Sequence, residues 1–182
     1  MLKIIWGITG AGDLLPEIFE VMSEIAKIED LEITAVVSKA AQKVLKWYKL
    51  WDKLEPMVHR VIVEKDANTP FIIGPAQTGR YKCLLIAPAS ANTTAKIAYG
   101  IADTLITNLI SQTNKTNVET IILPVDQKNE TKTTVLPDGT KLELTMRDID
   151  VQNTAKLRKM KGITVLEEPG DIKTIIYRFI PQ

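Results

Sequence analysis

The sequence of 182 residues is poor in the side chains that build disulfides and metal sites, since it has one cysteine and one histidine. A lone Cys83 excludes an internal disulfide, and together with a lone His59 it excludes clusters of cysteine or histidine ligands. We therefore predict no metal. Cys83 lies in an apolar run, so we expect a small buried core residue there. His59 has no nucleophile motif beside it, so we expect a structural or solvated role.

Aromatic residues are scarce, at 5% of the chain. Three of them, Trp47, Tyr48 and Trp51, cluster on the second predicted helix, where packing or subunit contact is the expected role. Neither sign of charge dominates, because 23 basic residues face 22 acidic ones. The basic excess of a nucleic-acid binder is missing, so we expect no nucleic-acid partner.

The chain also lacks a long apolar run. The apolar stretch at residues 1–9 is one strand long and leads into a glycine turn, which argues against a signal peptide and a membrane span. These features predict a cytoplasmic protein with no membrane partner.

Apolar strands alternate with helical patterns along the chain, which is typical of parallel α/β layering. Strands are predicted at residues 2–8, 32–37, 58–63, 82–87, 118–124 and 163–166. Helices are predicted at residues 13–27, 38–50, 93–108 and 148–161, with a brief helical turn within the loop 69–80. A turn at Pro137-Asp138-Gly139-Thr140 predicts a β-hairpin inserted at about residues 131–147. We expect a single domain over residues 1–182.

Short polar side chains follow three of these strands. Thr9 lies in the glycine segment 7–12 after the first strand, Ser38 follows the second, and Ser90 to Thr93 follow the fourth. Carboxyl ends of parallel strands share one edge, where amides, helix dipoles and hydroxyls can bind an anion. The spacing matches neither a dinucleotide fingerprint nor a P-loop, and the loops hold no cation. One phosphate monoester therefore fits better than a triphosphate, although a simple tight turn explains the glycine segment equally well.

The segment Pro88-Ala89-Ser90-Ala91-Asn92-Thr93, continued through residues 96–105, closely resembles the flavoprotein superfamily of homo-oligomeric flavin-containing cysteine decarboxylases. Residues 7–10 and Ser38 resemble phosphate-binding elements of that family, so the likeness extends over about residues 2–124. The resemblance implies a three-layer αβα, Rossmann-like (flavodoxin-like) fold with a mainly parallel sheet. It also implies FMN bound near a subunit interface, in a trimer or a multiple of trimers.

The resemblance further implies which residues bind the cofactor. These are Thr9, Gly10, Ala11, Ser38, Ser90, Ala91, Asn92, Thr93 and Asp103. Thr9, Gly10 and Ser38 are implied to hold the phosphate, and Ser90 to Thr93 are implied to line the phosphate, ribityl chain or ring. Asp103 matches an acidic position of the family, where direct ligand contact and a favourable charge at a helix start are both consistent. No catalytic side chain is implied, because the flavin performs the redox chemistry.

Two departures from the decarboxylases are visible. Their catalytic histidine is replaced by Gly74, and their asparagine–methionine substrate clamp is missing from residues 123–128. Cysteine decarboxylation is therefore not expected. The chain is most similar to the archaeoflavoproteins, which implies electron transfer from ferredoxin to another redox protein. Reduction of a pterin, as in the related dihydromethanopterin reductases, is one alternative, and a non-enzymatic nucleotide-binding oligomeric scaffold is another.

Overall fold

A parallel six-stranded sheet forms the centre of the computed structural model, which describes residues 1–69 and 71–180. The strands are β1 (Leu2–Ile8), β2 (Leu31–Val37), β3 (Arg60–Val63), β4 (Cys83–Ala89), β5 (Glu119–Pro124), β6 (Thr131–Val135), β7 (Lys141–Thr145) and β8 (Ile163–Val165). The sheet has the order β3-β2-β1-β4-β5-β8, and β6 and β7 form a separate antiparallel hairpin. The order reverses direction between β1 and β4, which is where doubly wound sheets bind ligands.

Helices cover both faces of this sheet. They are α1 (Leu15–Ile25), α2 (Lys39–Trp47), α3 (Trp51–Leu54), α4 (Ile73–Gln77), α5 (Ala91–Ala98), α6 (Leu105–Thr113), α7 (Asp148–Leu157) and α8 (Gly170–Tyr177). Successive residues of β1 point to opposite faces. Ile4 and Trp6 join an apolar cluster with α1 and α8, whereas Ile5 joins a second cluster with α6. The predicted three-layer, Rossmann-like arrangement and the inserted hairpin are confirmed.

Some predicted boundaries differ from the structure. The predicted helix 93–108 is two helices, because Gly100 adopts φ +71° after α5 and Thr104 begins α6 with a capping box to Thr107. The second helix ends at Trp47, and Lys49 at φ +56° separates it from α3. Trp51 therefore begins α3 instead of lying on the second helix. Helix α8 was not predicted. Position 70 of the predicted loop 69–80, and positions 181 and 182 of the predicted domain, lie outside the described residues.

The one cysteine and the one histidine both have structural roles. Cys83 is buried in β4, and burial raises the pKa of its thiol to about 12. His59 Nδ1 accepts a hydrogen bond from the Ile33 amide, 3.2 Å away, and so ties the start of β3 to β2. Within the described residues, no helix is both long and apolar enough to cross a membrane.

Candidate functional site

Three loops meet at the carboxyl edge of the sheet, where β1, β2 and β4 end. Because Ile8 pairs with Val37, the residues that follow them lie side by side, and the Ser38 amide donates to Ile8 O at 3.1 Å. The Ser90 amide donates to Thr9 Oγ1 at 2.8 Å, which joins the β4 loop to the β1 loop. The structure therefore brings Thr9, Ser38 and Ser90 to one place.

Thr9 holds two of these loops together. Its hydroxyl donates to Pro88 O at 2.8 Å and accepts from the Ser90 amide, and the side chain is 2% exposed. A buried hydroxyl needs such partners, and this one has its single proton committed to Pro88. Thr9 thus shapes the site, and its hydroxyl has no proton left for an anion.

Ser38 and Ser90 each cap a helix at this edge. Ser38 Oγ accepts from the Ala41 amide at 3.0 Å, which begins α2, and its hydroxyl proton has no acceptor among the described residues. Ser90 Oγ accepts from the Thr93 amide at 3.4 Å and donates to Thr93 Oγ1 at 3.2 Å. The caps fix both helix starts. The hydroxyl proton of Ser90 is committed to Thr93 Oγ1, whereas the hydroxyls of Ser38 and Thr93 keep a free donor among the described residues.

Four backbone amides remain available around these caps. In the part of the chain that the structure describes, the N–H groups of Gly10, Ala40, Ala91 and Asn92 have no acceptor. Three of them lie in the first turns of α2 and α5, where the helix dipole favours negative charge. Ala11 differs, since it is buried and its amide donates to Thr9 O at 2.9 Å. The donor set is uncharged and suits a small anion such as a phosphate.

Two glycines of the β1–α1 loop allow close packing against α2. A Cβ built on Gly10 would lie 2.6 Å from Ala40 Cβ, and one on Gly12 would lie 2.5 Å from Tyr48 Oη. At Gly10 a larger residue fits only if the loop moves away from α2, whereas at Gly12 the Tyr48 ring must turn aside. The glycine segment therefore sets the distance between the Gly10 and Ala40 amides.

Asp103 lies on the connection between α5 and α6 and forms an ion pair. Both carboxylate oxygens accept from Lys96 Nζ, at 2.8 and 2.9 Å, and this hydrogen bonding lowers the pKa of Asp103. Its side chain is exposed, and no hydrogen bond joins it to Thr9, Ser38 or Ser90 within the described residues. Of the predicted cofactor residues, Asp103 is the one whose side chain is held in an ion pair, although it lies only two residues before Leu105, which Glu64 holds at the same edge.

The sequence analysis missed Glu64, a buried carboxylate at the same edge. It directly follows β3 and is 9% exposed. Its Oε2 accepts from the Lys39 amide at 3.1 Å, and its Oε1 accepts from the Leu105 amide at 2.9 Å. The sequence feature that could have indicated Glu64 is its position directly after a strand, like that of Ser38. One carboxylate thus bridges the first amides of α2 and α6.

The β5 side of the edge carries carboxylates instead of free donors. Burial, with the nearby charges of Asp150 and Asp13, raises the pKa of Asp126. Burial also raises the pKa of Asp13, although Lys132 of the hairpin opposes this effect. Lys132 Nζ lies 3.9 Å from Asp13 Oδ2 and donates to Val125 O at 3.3 Å. Asp126 and Asp13 would therefore repel an anion from the β5 side of the edge, whereas the Glu64 carboxylate on the β2 side is already held by two amides.

The family model described as Flavoprotein matches residues 1–178. An uncharacterised protein of Methanocaldococcus jannaschii is 52% identical over 180 residues, which cover 99% of this chain and 97% of that protein. The dihydromethanopterin reductase (acceptor) of the same organism is 41% identical over 232 aligned positions, covering 94% of each chain. The structure of Burkholderia xenovorans DmrB in complex with FMN, a cubic protein cage for redox transfer, is 26% identical with TM-score 0.80, covering 97% of this chain and 94% of DmrB.

These matches agree with the site geometry and with the flavoprotein resemblance of the sequence. The family model covers both the loop at Ser38 and the motif at Ser90. The DmrB structure shares the fold over nearly the whole chain. The chain belongs to the Flavoprotein family.

Proposed function

We propose that this chain is a redox flavoprotein that binds FMN at the edge formed by the β1, β2 and β4 loops. The observation that carries the proposal is the set of free, uncharged donors gathered there. The Ser38 hydroxyl and the amides of Gly10, Ala40, Ala91 and Asn92 hold the phosphate. Their number and their place at two helix starts fit a phosphate dianion.

The other cofactor residues act on the shape of the site. Thr9 holds the β1 loop against the β4 loop, the Ala11 amide closes a turn within the β1 loop, and Ser90 with Thr93 fixes the start of α5. Asn92, whose side chain is exposed, lines the ribityl chain or the ring together with Thr93. Asp103 keeps its place beside Lys96 and contacts the ligand only at the margin. When bound, FMN supplies the electron storage, and the chain supplies binding and orientation.

An acidic redox protein such as ferredoxin is the proposed partner in electron transfer. Residues 39–53 carry five lysines and one aspartate, a net charge of +4 in a chain whose total is +1. These lysines are exposed, and none forms an ion pair with another described residue. Trp47, 52% exposed, lies among them. A basic face with an exposed aromatic residue steers and anchors an acidic partner.

The proposed assembly is a homo-oligomer, a trimer or a multiple of trimers. The DmrB relative is a cubic cage. The β6–β7 hairpin exposes Val135, Leu142 and Leu144, although two-stranded ribbons are marginal in water by themselves. Contact with a neighbouring subunit would cover these side chains and complete the surroundings of the cofactor.

Anaerobic reduction tests the electron-transfer role. The FMN-loaded chain is mixed with reduced ferredoxin, and bleaching of the flavin absorbance is followed at low and high salt. We expect fast bleaching that slows as salt rises, because the lysine face provides electrostatic steering. Bleaching no faster than the rate without ferredoxin would refute the partner. A chain that takes up no FMN would favour the scaffold alternative.

Reduction of a dihydropterin is the second candidate function. The 41% identity to dihydromethanopterin reductase favours it. However, the alignment has 232 positions and this chain 182 residues, so at least 50 positions are insertions in the reductase. Those segments could hold parts of the pterin site. Steady-state turnover of dihydromethanopterin by the FMN-loaded chain would establish this function, and lack of turnover beside fast reduction by ferredoxin would reject it.

A further inference from the structure

Glu64 is a buried carboxylate directly after β3, and it has no role among the proposed phosphate donors. Its two oxygens accept from the amides of Lys39 and Leu105, the first residues of α2 and α6. Its own amide donates to Val37 O at 2.9 Å, so the residue is also held by β2. No lysine or arginine pairs with the carboxylate within residues 1–69 and 71–180. The two helix starts alone balance its charge.

Only a carboxylate of this length meets both partners. Each partner is an N–H donor, so the bridging group must accept with both of its ends. Glutamine would turn its NH2 group toward one of the two amides and lose that hydrogen bond. Aspartate is one methylene shorter and cannot span the two helices. The side chain at position 64 is therefore defined by chemistry and by length.

We propose that Glu64 is a positioning residue for the phosphate of the cofactor. By fixing the Lys39 amide, it fixes the start of α2, where the Ser38 hydroxyl and the Ala40 amide have no acceptor among the described residues and are the proposed phosphate donors. By fixing the Leu105 amide, it holds α6 beside α2. Because Glu64 accepts from the Lys39 amide, the first of α2, the Ala40 amide is the first one of this helix left to bind the anion. This inference rests on the proposed binding of FMN.

Flavin affinity with and without the phosphate tests the proposal. The dissociation constants of FMN and of riboflavin are measured by fluorescence titration for the unaltered chain and for Glu64→Gln. We expect Glu64→Gln to weaken FMN about tenfold or more and riboflavin less than about threefold, since riboflavin lacks the phosphate. The matched control is Glu119→Gln, because Glu119 accepts from Thr164 Oγ1 at 2.7 Å on the opposite edge of the sheet. The control should leave both constants within about twofold of the unaltered values.

Three results would overturn the proposal. Equal weakening of both ligands by Glu64→Gln would indicate a general structural role, and unchanged constants would indicate no role in binding. Tighter FMN binding would mean that the carboxylate mainly repels the phosphate. If Glu64→Gln does not fold, Glu64→Asp is judged by the same ratio of FMN to riboflavin affinity.

Hydrogen exchange of the unaltered chain provides a second measurement that needs no variant. We expect the amides of Lys39 and Leu105 to exchange slowly with or without FMN, since Glu64 protects both. Fast exchange at these amides would overturn the bridge. If the unaltered chain binds neither flavin, the proposed function fails, and the exchange measurement still decides whether the bridge exists.

Discussion

Replacing Gly10 with alanine tests how closely the β1 loop must approach α2. The new Cβ would lie 2.6 Å from Ala40 Cβ and 3.3 Å from the Ala40 carbonyl carbon. Carbon atoms prefer separations of about 3.5–4.0 Å, so the loop must retreat by about 1 Å. Overpacking of this kind costs about 1–3 kcal/mol of folding free energy. The Gly10 amide moves away with the loop, so we expect FMN to bind about tenfold more weakly.

Urea unfolding and FMN fluorescence titration measure these two effects. The double variant Gly10→Ala with Ala40→Gly removes the opposing methyl group and should recover most of the stability. Ala40→Gly alone should cost no more than about 1 kcal/mol, as a glycine near a helix start. The two changes should therefore be non-additive by about 1 kcal/mol or more.

Gly74 provides the control for Gly10→Ala. A Cβ on Gly74 would have no heavy atom within 4 Å, and this residue lies in α4. Gly74→Ala should leave FMN binding unchanged, and its effect on stability should be small and local, because Pro75 disfavours helical backbone in a preceding residue that has a Cβ. If Gly10→Ala has the same stability in urea and the same affinity for FMN as the unaltered chain, the β1 loop does not need to approach α2 this closely.

Three further changes probe the cap, the carboxylates and the buried thiol. Ser90→Ala removes the cap of α5, so we expect the free energy of unfolding in urea to fall by about 1 kcal/mol. Less FMN should remain bound after purification. Unchanged values would contradict the capping role of Ser90. The pKa of Asp126 is raised by burial and by Asp150 and Asp13, so the folded state favours its protonated form and loses stability as pH rises through that pKa. Asp126→Asn should therefore stabilise the chain near pH 7, with the gain vanishing below about pH 4, and a gain independent of pH would contradict this cause. Burial raises the pKa of Cys83 to about 12, so a thiol reagent near pH 8 should react only after unfolding, and fast reaction of the folded chain would place Cys83 elsewhere.

The sequence predicts the shared edge because strand, short polar loop and helix follow one another three times. Parallel strands joined by helices all end on one side, so the shared edge can be predicted from the sequence. That Thr9, Ser38 and Ser90 meet there depends also on β2, β1 and β4 being neighbours in the sheet. The caps are local, since Ser38 contacts Ala41 and Ser90 contacts Thr93. Such contacts within one turn are visible in the sequence.

Contacts between distant residues could not be predicted in the same way. The proton of Thr9 is committed to Pro88, 79 positions away, and Glu64 contacts residues on two different helices. Neither contact has a spacing that a single sequence displays. The break between α5 and α6 was missed because the apolar pattern continues across Gly100, whose positive φ ends the helix.

The most direct test of the account is a titration of the purified chain with FMN and with riboflavin, followed by absorbance and fluorescence. We expect one FMN per chain, bound about tenfold or more tightly than riboflavin, because most of the free donors at the β1, β2 and β4 loops are proposed to bind the phosphate. Failure to bind FMN, or equal affinity for the two flavins, would contradict the central claim that these loops hold a phosphate.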